Sequence, residues 1–98
     1  METEQIRTAA EAHGRAVVNG DIEHIKADLV DELHPHIPAV AGAVPQPLQS
    51  ATVLSVDVFE GYAETVTAYA SPDRSVEFKS RWEDRGAGRP QIVESAPA

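Results

Sequence analysis

Four histidines, a serine and a tryptophan two apart, and one aspartate inside a valine-rich run are the residues of this chain with chemistry to offer. His13 is the foremost. It falls one step from Ala9/Ala10 and from Ala16/Val17, on the apolar face of a helical pattern. Imidazole exchanges protons near neutral pH, so a histidine on such a face can donate a hydrogen bond to a ligand oxygen or act as a base. The plainer alternative is a half-buried helix histidine bonded to a backbone carbonyl or a water. His34 and His36 flank Pro35, and an extended segment would let both rings converge on a metal. A site needs a third ligand, and only Asp31 and Glu32 are near in sequence. The pair reads as a solvated loop, and no metal is expected. His24 lies off its helix's apolar stripe and is expected at the surface. Asp57 interrupts the strand pattern between Val56 and Val58; side-chain parity puts it on the outer face, with Leu54, Val56 and Val58 inside. Gly86-Ala87-Gly88 between Arg85 and Arg89 is a hairpin turn and not a phosphate cradle, because no helix follows it.

These residues need elements to hold them. Ile6, Ala9, Ala10, His13, Ala16 and Val17 recur at helical spacing, with Thr3 as the expected N-cap and Asn19-Gly20 as the stop. Asp21 can cap a second helix whose stripe is Ile22, Ile25, Leu29 and Leu33; Glu23, Lys26, Asp28, Asp31 and Glu32 are expected to face water. Residues 34–49 carry Pro35, Pro38, Pro45 and Pro47, which leaves room only for a short helix from about Pro38 to Val44. Then the period changes to two. Ala51–Glu60 and Tyr62–Ala70 read as strands. Ser75–Asp84 alternates Val76, Phe78, Ser80 and Trp82 against Glu77, Lys79, Arg81 and Glu83, which is a strand with one dry and one wet side. Gln91–Ser95 returns as a fourth, and the tail Ala96-Pro97-Ala98 is expected to fray.

The chain has 98 residues, with 16 Asp+Glu against 8 Lys+Arg and a net charge of −8. That balance argues against nucleic acid or an anionic membrane as partner, since phosphate binding runs on clustered Lys and Arg. No cysteine is present, which excludes a disulfide framework, a thiolate metal site and a thiol nucleophile. The uncharged stretch Leu33–Thr52 is broken by prolines and cannot span a membrane. The opening Met1-Glu2-Thr3-Glu4 is acidic where a secretory signal is basic, so a cytoplasmic protein is expected.

The run AVVNGDIEHIKADLVDE (Ala16–Glu32) resembles the helix–Gly-Asp–helix opening of nuclear transport factor 2-like domains, the superfamily of SnoaL-like cyclases and ketosteroid isomerases. The tail RWEDRGAGRPQIVES (Arg81–Ser95) is similar to their last hairpin. The resemblance implies a cone-like α+β fold with a pocket between the helices and a curved sheet. It also implies a short strand and a third helix in the middle, where the stretch 34–49 is short for both. By position, His13 stands where the isomerases have an oxyanion-binding tyrosine. Ser80 stands near their protonated acid, and His34-Pro35-His36 near their general base. The isomerase's own catalytic residues are therefore replaced, which argues against the same isomerisation.

These readings converge on one α+β domain, 1–98, with helices in 1–33, a Pro-rich connector in 34–49 and a sheet of about four antiparallel strands in 50–96. Two to three helices pack on the curved sheet. The expected core is Ile6, Ala10, Val17, Ile22, Ile25, Leu29, Leu54, Val56, Val58, Val66, Val76, Phe78, Trp82 and Ile92. A cavity between the first helix and the inner sheet face would be lined by His13, Val17, Phe78, Ser80 and Trp82, although Trp82 serves the core first. Such a lining suits a small, neutral, apolar molecule. The leading functional expectation is a ligand-binding or dimerising domain without catalysis or cofactor. The alternatives are a SnoaL- or isomerase-type enzyme using His13, and a protein-interaction module using the outer sheet face. A homodimer through that face is expected, with Ala51, Val53, Ser55, Phe59, Thr65, Thr67 and Tyr69 on it and Phe59 and Tyr69 as anchors.

Overall fold

The computed structural model describes residues 1–86 and 88–98. Helix α1 is Thr3–Asn19, α2 is Ile22–Asp28, a 3₁₀ turn covers Asp31–His36, and α3 is Ile37–Ala43. Four strands follow: β1 Ser50–Val58, β2 Ala63–Ala70, β3 Ser75–Glu83 and β4 Gln91–Pro97. They form an antiparallel meander in the order β1-β2-β3-β4. The fold is thus α+β, with the helices first and the sheet after them. Ala87, the middle residue of the expected Gly-Ala-Gly turn, lies outside the described residues.

Each helix end has a local cause. At the start of α1, Glu2 and Gln5 form a reciprocal capping box, so the cap is Glu2 and not Thr3. At its end Gly20 takes the left-handed conformation, φ 67°, and its N–H meets the carbonyls of Ala16 and Val17. Asp21 caps α2 by accepting the His24 N–H at 3.2 Å. That helix stops at Asp28, earlier than the stripe to Leu33 suggests. Leu29 and Val30 extend instead and bridge in parallel to β4, where the Val30 N–H donates to the Ile92 carbonyl at 3.1 Å. Pro38 sits in the first turn of α3, where its missing N–H costs nothing.

The core lies between α1 and the inner face of the sheet. Ile6, Ala10, Leu29, Ala63, Trp82 and Ile92 form its main body. Val44, Tyr69 and Phe78 form a second cluster, with the Tyr69 and Phe78 rings edge to face. Strand parity departs from the expected pattern in β1 and β2. The register slips between Val53 and Ser55, so Leu54 is an extra residue and is 52% exposed. Upstream of the slip Ala51 and Val53 turn inward; downstream Val56 and Val58 do. On β2 the buried residues are Ala63, Thr65, Thr67 and Tyr69, while Val66 faces outward with Ser55 as its cross-strand partner. Tyr69 is therefore a core residue and not an outer-face anchor, and burial pushes its phenol up to about 12. Ile22 also leaves the expected core and lies exposed beside the cap of α2.

The reason for small and polar residues beneath α1 is close approach. A Cβ on Gly14 would lie 2.9 Å from the Ala51 Cβ. Thr65 supplies an acceptor for the Trp82 indole, whose Nε1–H donates to Thr65 Oγ1 at 3.0 Å. The C-terminal tail does not fray: Phe78 pairs with Pro97, and the Ala98 N–H donates to the Glu77 carbonyl at 2.8 Å. Proline is tolerated there because β4 is an edge strand. Among the described residues no helix is long and apolar enough to cross a membrane.

Candidate functional site

The helices and β4 enclose a cavity of about 520 Å³, the size of a small-molecule site. Its walls are Val17 from α1, Ile25 and Leu29 from α2 and its end, Leu33 from the 3₁₀ turn, and Ile37, Val40 and Val44 from α3 and its cap. Polar residues are few: His13, His36, Glu94 and Ser95. The cavity is displaced from the expected place. Trp82 and Phe78 are buried over the inner sheet face, and the cavity is lined instead by the helices and β4.

His13 lines this cavity and is held from behind. Its Nδ1 lies 2.8 Å from Oδ2 of Asp28. Asp28 ends α2 and is 1% exposed. It receives two further groups: Arg89 donates from a guanidinium nitrogen to Oδ1 at 3.1 Å, and His24 Nε2 lies 3.2 Å from Oδ2. Burial alone pushes the Asp28 carboxyl up. The hydrogen bond and charge of His13, the nearby His24 and the Arg89 hydrogen bond outweigh it and hold Asp28 below the ordinary carboxylate value. An ionised carboxylate only accepts, so His13 Nδ1 carries the proton of that bond and donates it. In the neutral ring the lone pair is then on Nε2. The His13 ring also meets the Trp82 ring edge to face at 6.3 Å. Carboxylate, oriented imidazole and apolar chamber make a general-base arrangement.

Arg89 is itself anchored. A second guanidinium nitrogen donates to the Ala27 carbonyl at 2.7 Å, and Gln91 Nε2 donates to the same oxygen at 3.1 Å. Arg85 pairs with Glu32 at 2.9 Å. The connection between β3 and β4 thus clasps the end of α2.

Of the residues expected at the site, the fold brings His13 and Val17 to the cavity wall. Phe78 and Trp82 are buried in the core. Ser80 hydrogen-bonds Ser95 across β3 and β4 at 3.1 Å, and it is Ser95 that reaches the cavity. His34 and His36 do not converge. His34 Nε2–H donates to the carbonyls of Lys26 at 2.9 Å and Leu29 at 3.3 Å, fastening the 3₁₀ turn, while His36 lines the cavity. Asp28 and Arg89 were not foreseen as site residues, and Asp28 was expected to face water. One signal for Asp28 was present: it lies three residues after Ile25, on the stripe and not opposite it. For Arg89, 61 residues away from Asp28, spacing carried no signal.

No protein-family model, curated protein or solved structure matches this chain.

Proposed function

We propose that this chain takes a small, neutral, largely apolar molecule into its cavity and that His13 acts on it as a general base, oriented by Asp28. The observation that carries this is the 2.8 Å contact between His13 Nδ1 and Asp28 Oδ2 at the wall of an apolar chamber. Binding without turnover is the leading expectation from sequence because the isomerase's own catalytic residues are replaced, which leaves His13 without a carboxylate partner. Asp28 is that partner. It fixes the tautomer and stabilises the imidazolium that forms when a proton is taken.

The reading includes membership of the nuclear transport factor 2-like superfamily, as a short variant. The order of helices and strands supports it. So does α3 at Ile37–Ala43, a short third helix inside the stretch 34–49 where the resemblance implies one.

The test uses 5-nitrobenzisoxazole, a small neutral aromatic. A base removes its carbon-bound proton, the N–O bond breaks, and a cyanophenolate is released. The wild-type protein is expected to accelerate this by about 10²–10⁴-fold over free imidazole, and His13→Ala to abolish the gain with circular dichroism unchanged. Equal rates in wild type and His13→Ala would refute the base. A fluorescence titration of Trp82 with steroids, aromatic polyketides and fatty acids then separates a binding site from no site.

We also propose a homodimer through the outer sheet face. Its support is narrower than the sequence suggested, since Ala51, Val53, Thr65, Thr67 and Tyr69 turn inward. Leu54 and Phe59 are exposed, and Phe59 stacks on Tyr62 beneath the Arg81 guanidinium. Light scattering at tens of micromolar is expected to give twice the chain mass; a monomer mass would remove this proposal.

A further inference from the structure

The Asp28 carboxylate faces two imidazoles on one oxygen. His13 Nδ1 lies 2.8 Å and His24 Nε2 3.2 Å from the same Oδ2. The two rings differ in access. The His13 side chain is 13% exposed and belongs to the cavity; the His24 side chain is 40% exposed and meets solvent. Arg89 occupies the other oxygen, so Oδ2 is the one the histidines must share. Asp21 also lies beside His24, accepting its backbone N–H at 3.2 Å.

We propose that His24 is a positioning residue of the site, which sets how strongly His13 holds a proton through the carboxylate oxygen they share. This rests on the reading of His13 as the base. A neutral His24 offers Oδ2 only a dipole. A protonated His24 brings a full positive charge to it. That charge draws on the same negative oxygen that stabilises the His13 imidazolium, and it adds repulsion between two like charges. Protonation outside therefore weakens the base inside. The coupling is reciprocal, as any linkage of two binding equilibria must be. When His13 accepts a proton from a molecule in the cavity, any proton that His24 holds is released to solvent more readily.

The experiment needs no substrate. The Cε1–H resonances of the histidines are followed against pH in wild type, His24→Gln and Asp28→Asn, with Trp82 fluorescence as a second reading of His13. In wild type the His13 curve is expected to be shallower than a one-proton curve. In His24→Gln the side chain stays polar but cannot charge. The curve is expected to sharpen to one proton, with its midpoint raised by about half to one pH unit. In Asp28→Asn the two histidines are expected to titrate independently. Identical His13 curves in wild type and His24→Gln would overturn the proposal. A purely structural His24 would change unfolding stability and leave the His13 curve where it was. His24→Ala repeats the comparison if the glutamine disturbs α2. Because these curves involve no turnover, their failure leaves the benzisoxazole assay to judge the base separately.

Discussion

Thr65 shows how a single polar residue decides which way a strand faces. Its Oγ1 accepts the Trp82 indole N–H, and both side chains are buried. Thr65→Val keeps the shape and removes the acceptor, leaving the indole N–H unpaired in the core. It is expected to cost about 1–3 kcal/mol in urea unfolding, with Thr65→Ser costing less. Equal stability of Thr65→Val and wild type would mean that the hydrogen bond contributes nothing net. Hydropathy alone placed Val66 inside and Thr65 outside, because it weighs each side chain without its partner. Residues whose neighbours repeat the same message were legible: Ile6 and Ala10 on α1, and Phe78 and Trp82 on β3, are all buried. Asp28 was not, since an isolated acid on a short helix reads as solvent-facing until its three partners are known.

At the scale of elements, the sequence located the three α-helices and the four strands but not the 3₁₀ turn Asp31–His36, because the change of period from helical to alternating is local information. It missed where α2 ends and where β1 slips. Both depend on what lies across the core: Leu29 and Val30 leave the helix to reach β4, and the slip at Leu54 turns Ala51 and Val53 under α1. The tightness of that contact is testable. A Cβ on Gly14 would come within 2.9 Å of the Ala51 Cβ, so something must shift to admit it. Glycine to alanine within a helix gains about 1 kcal/mol from propensity. Gly14→Ala is therefore expected to be neutral or destabilising in the native chain and stabilising in an Ala51→Gly background. Thermal unfolding of the four proteins of this cycle gives the coupling. The same effect in both backgrounds would show that Ala51 is not what holds Gly14. Gly14→Leu, which no rearrangement of Ala51 alone can admit, is expected to cost about 1–3 kcal/mol.

Across the whole molecule the Asp28 carboxylate joins two distant segments, His13 of α1 and Arg89 of the β3–β4 connection, and also meets His24 of its own helix. It is held ionised, against its burial, by those three groups. A carboxyl whose folded-state pKa lies below its unfolded value adds stability that is complete above the unfolded value, about 4, and is lost as pH falls through the folded one. Acid is thus expected to loosen the clasp between helices and sheet. Asp28→Asn removes the charge at every pH, leaving Arg89 without its counter-ion and the two imidazoles beside a neutral amide. At pH 7 it is expected to cost about 3 kcal/mol, a large part of the about 5–10 kcal/mol that holds a domain of this size. As pH falls through the folded-state value, below the ordinary carboxylate range, the wild-type carboxyl loses its own charge, so the two proteins are expected to converge. Urea unfolding at pH 7, 5 and below 3 follows the gap. A gap that stays constant down to the lowest pH would assign the cost to packing and hydrogen-bond shape, and the charge of Asp28 would then have no part in holding the helices to the sheet.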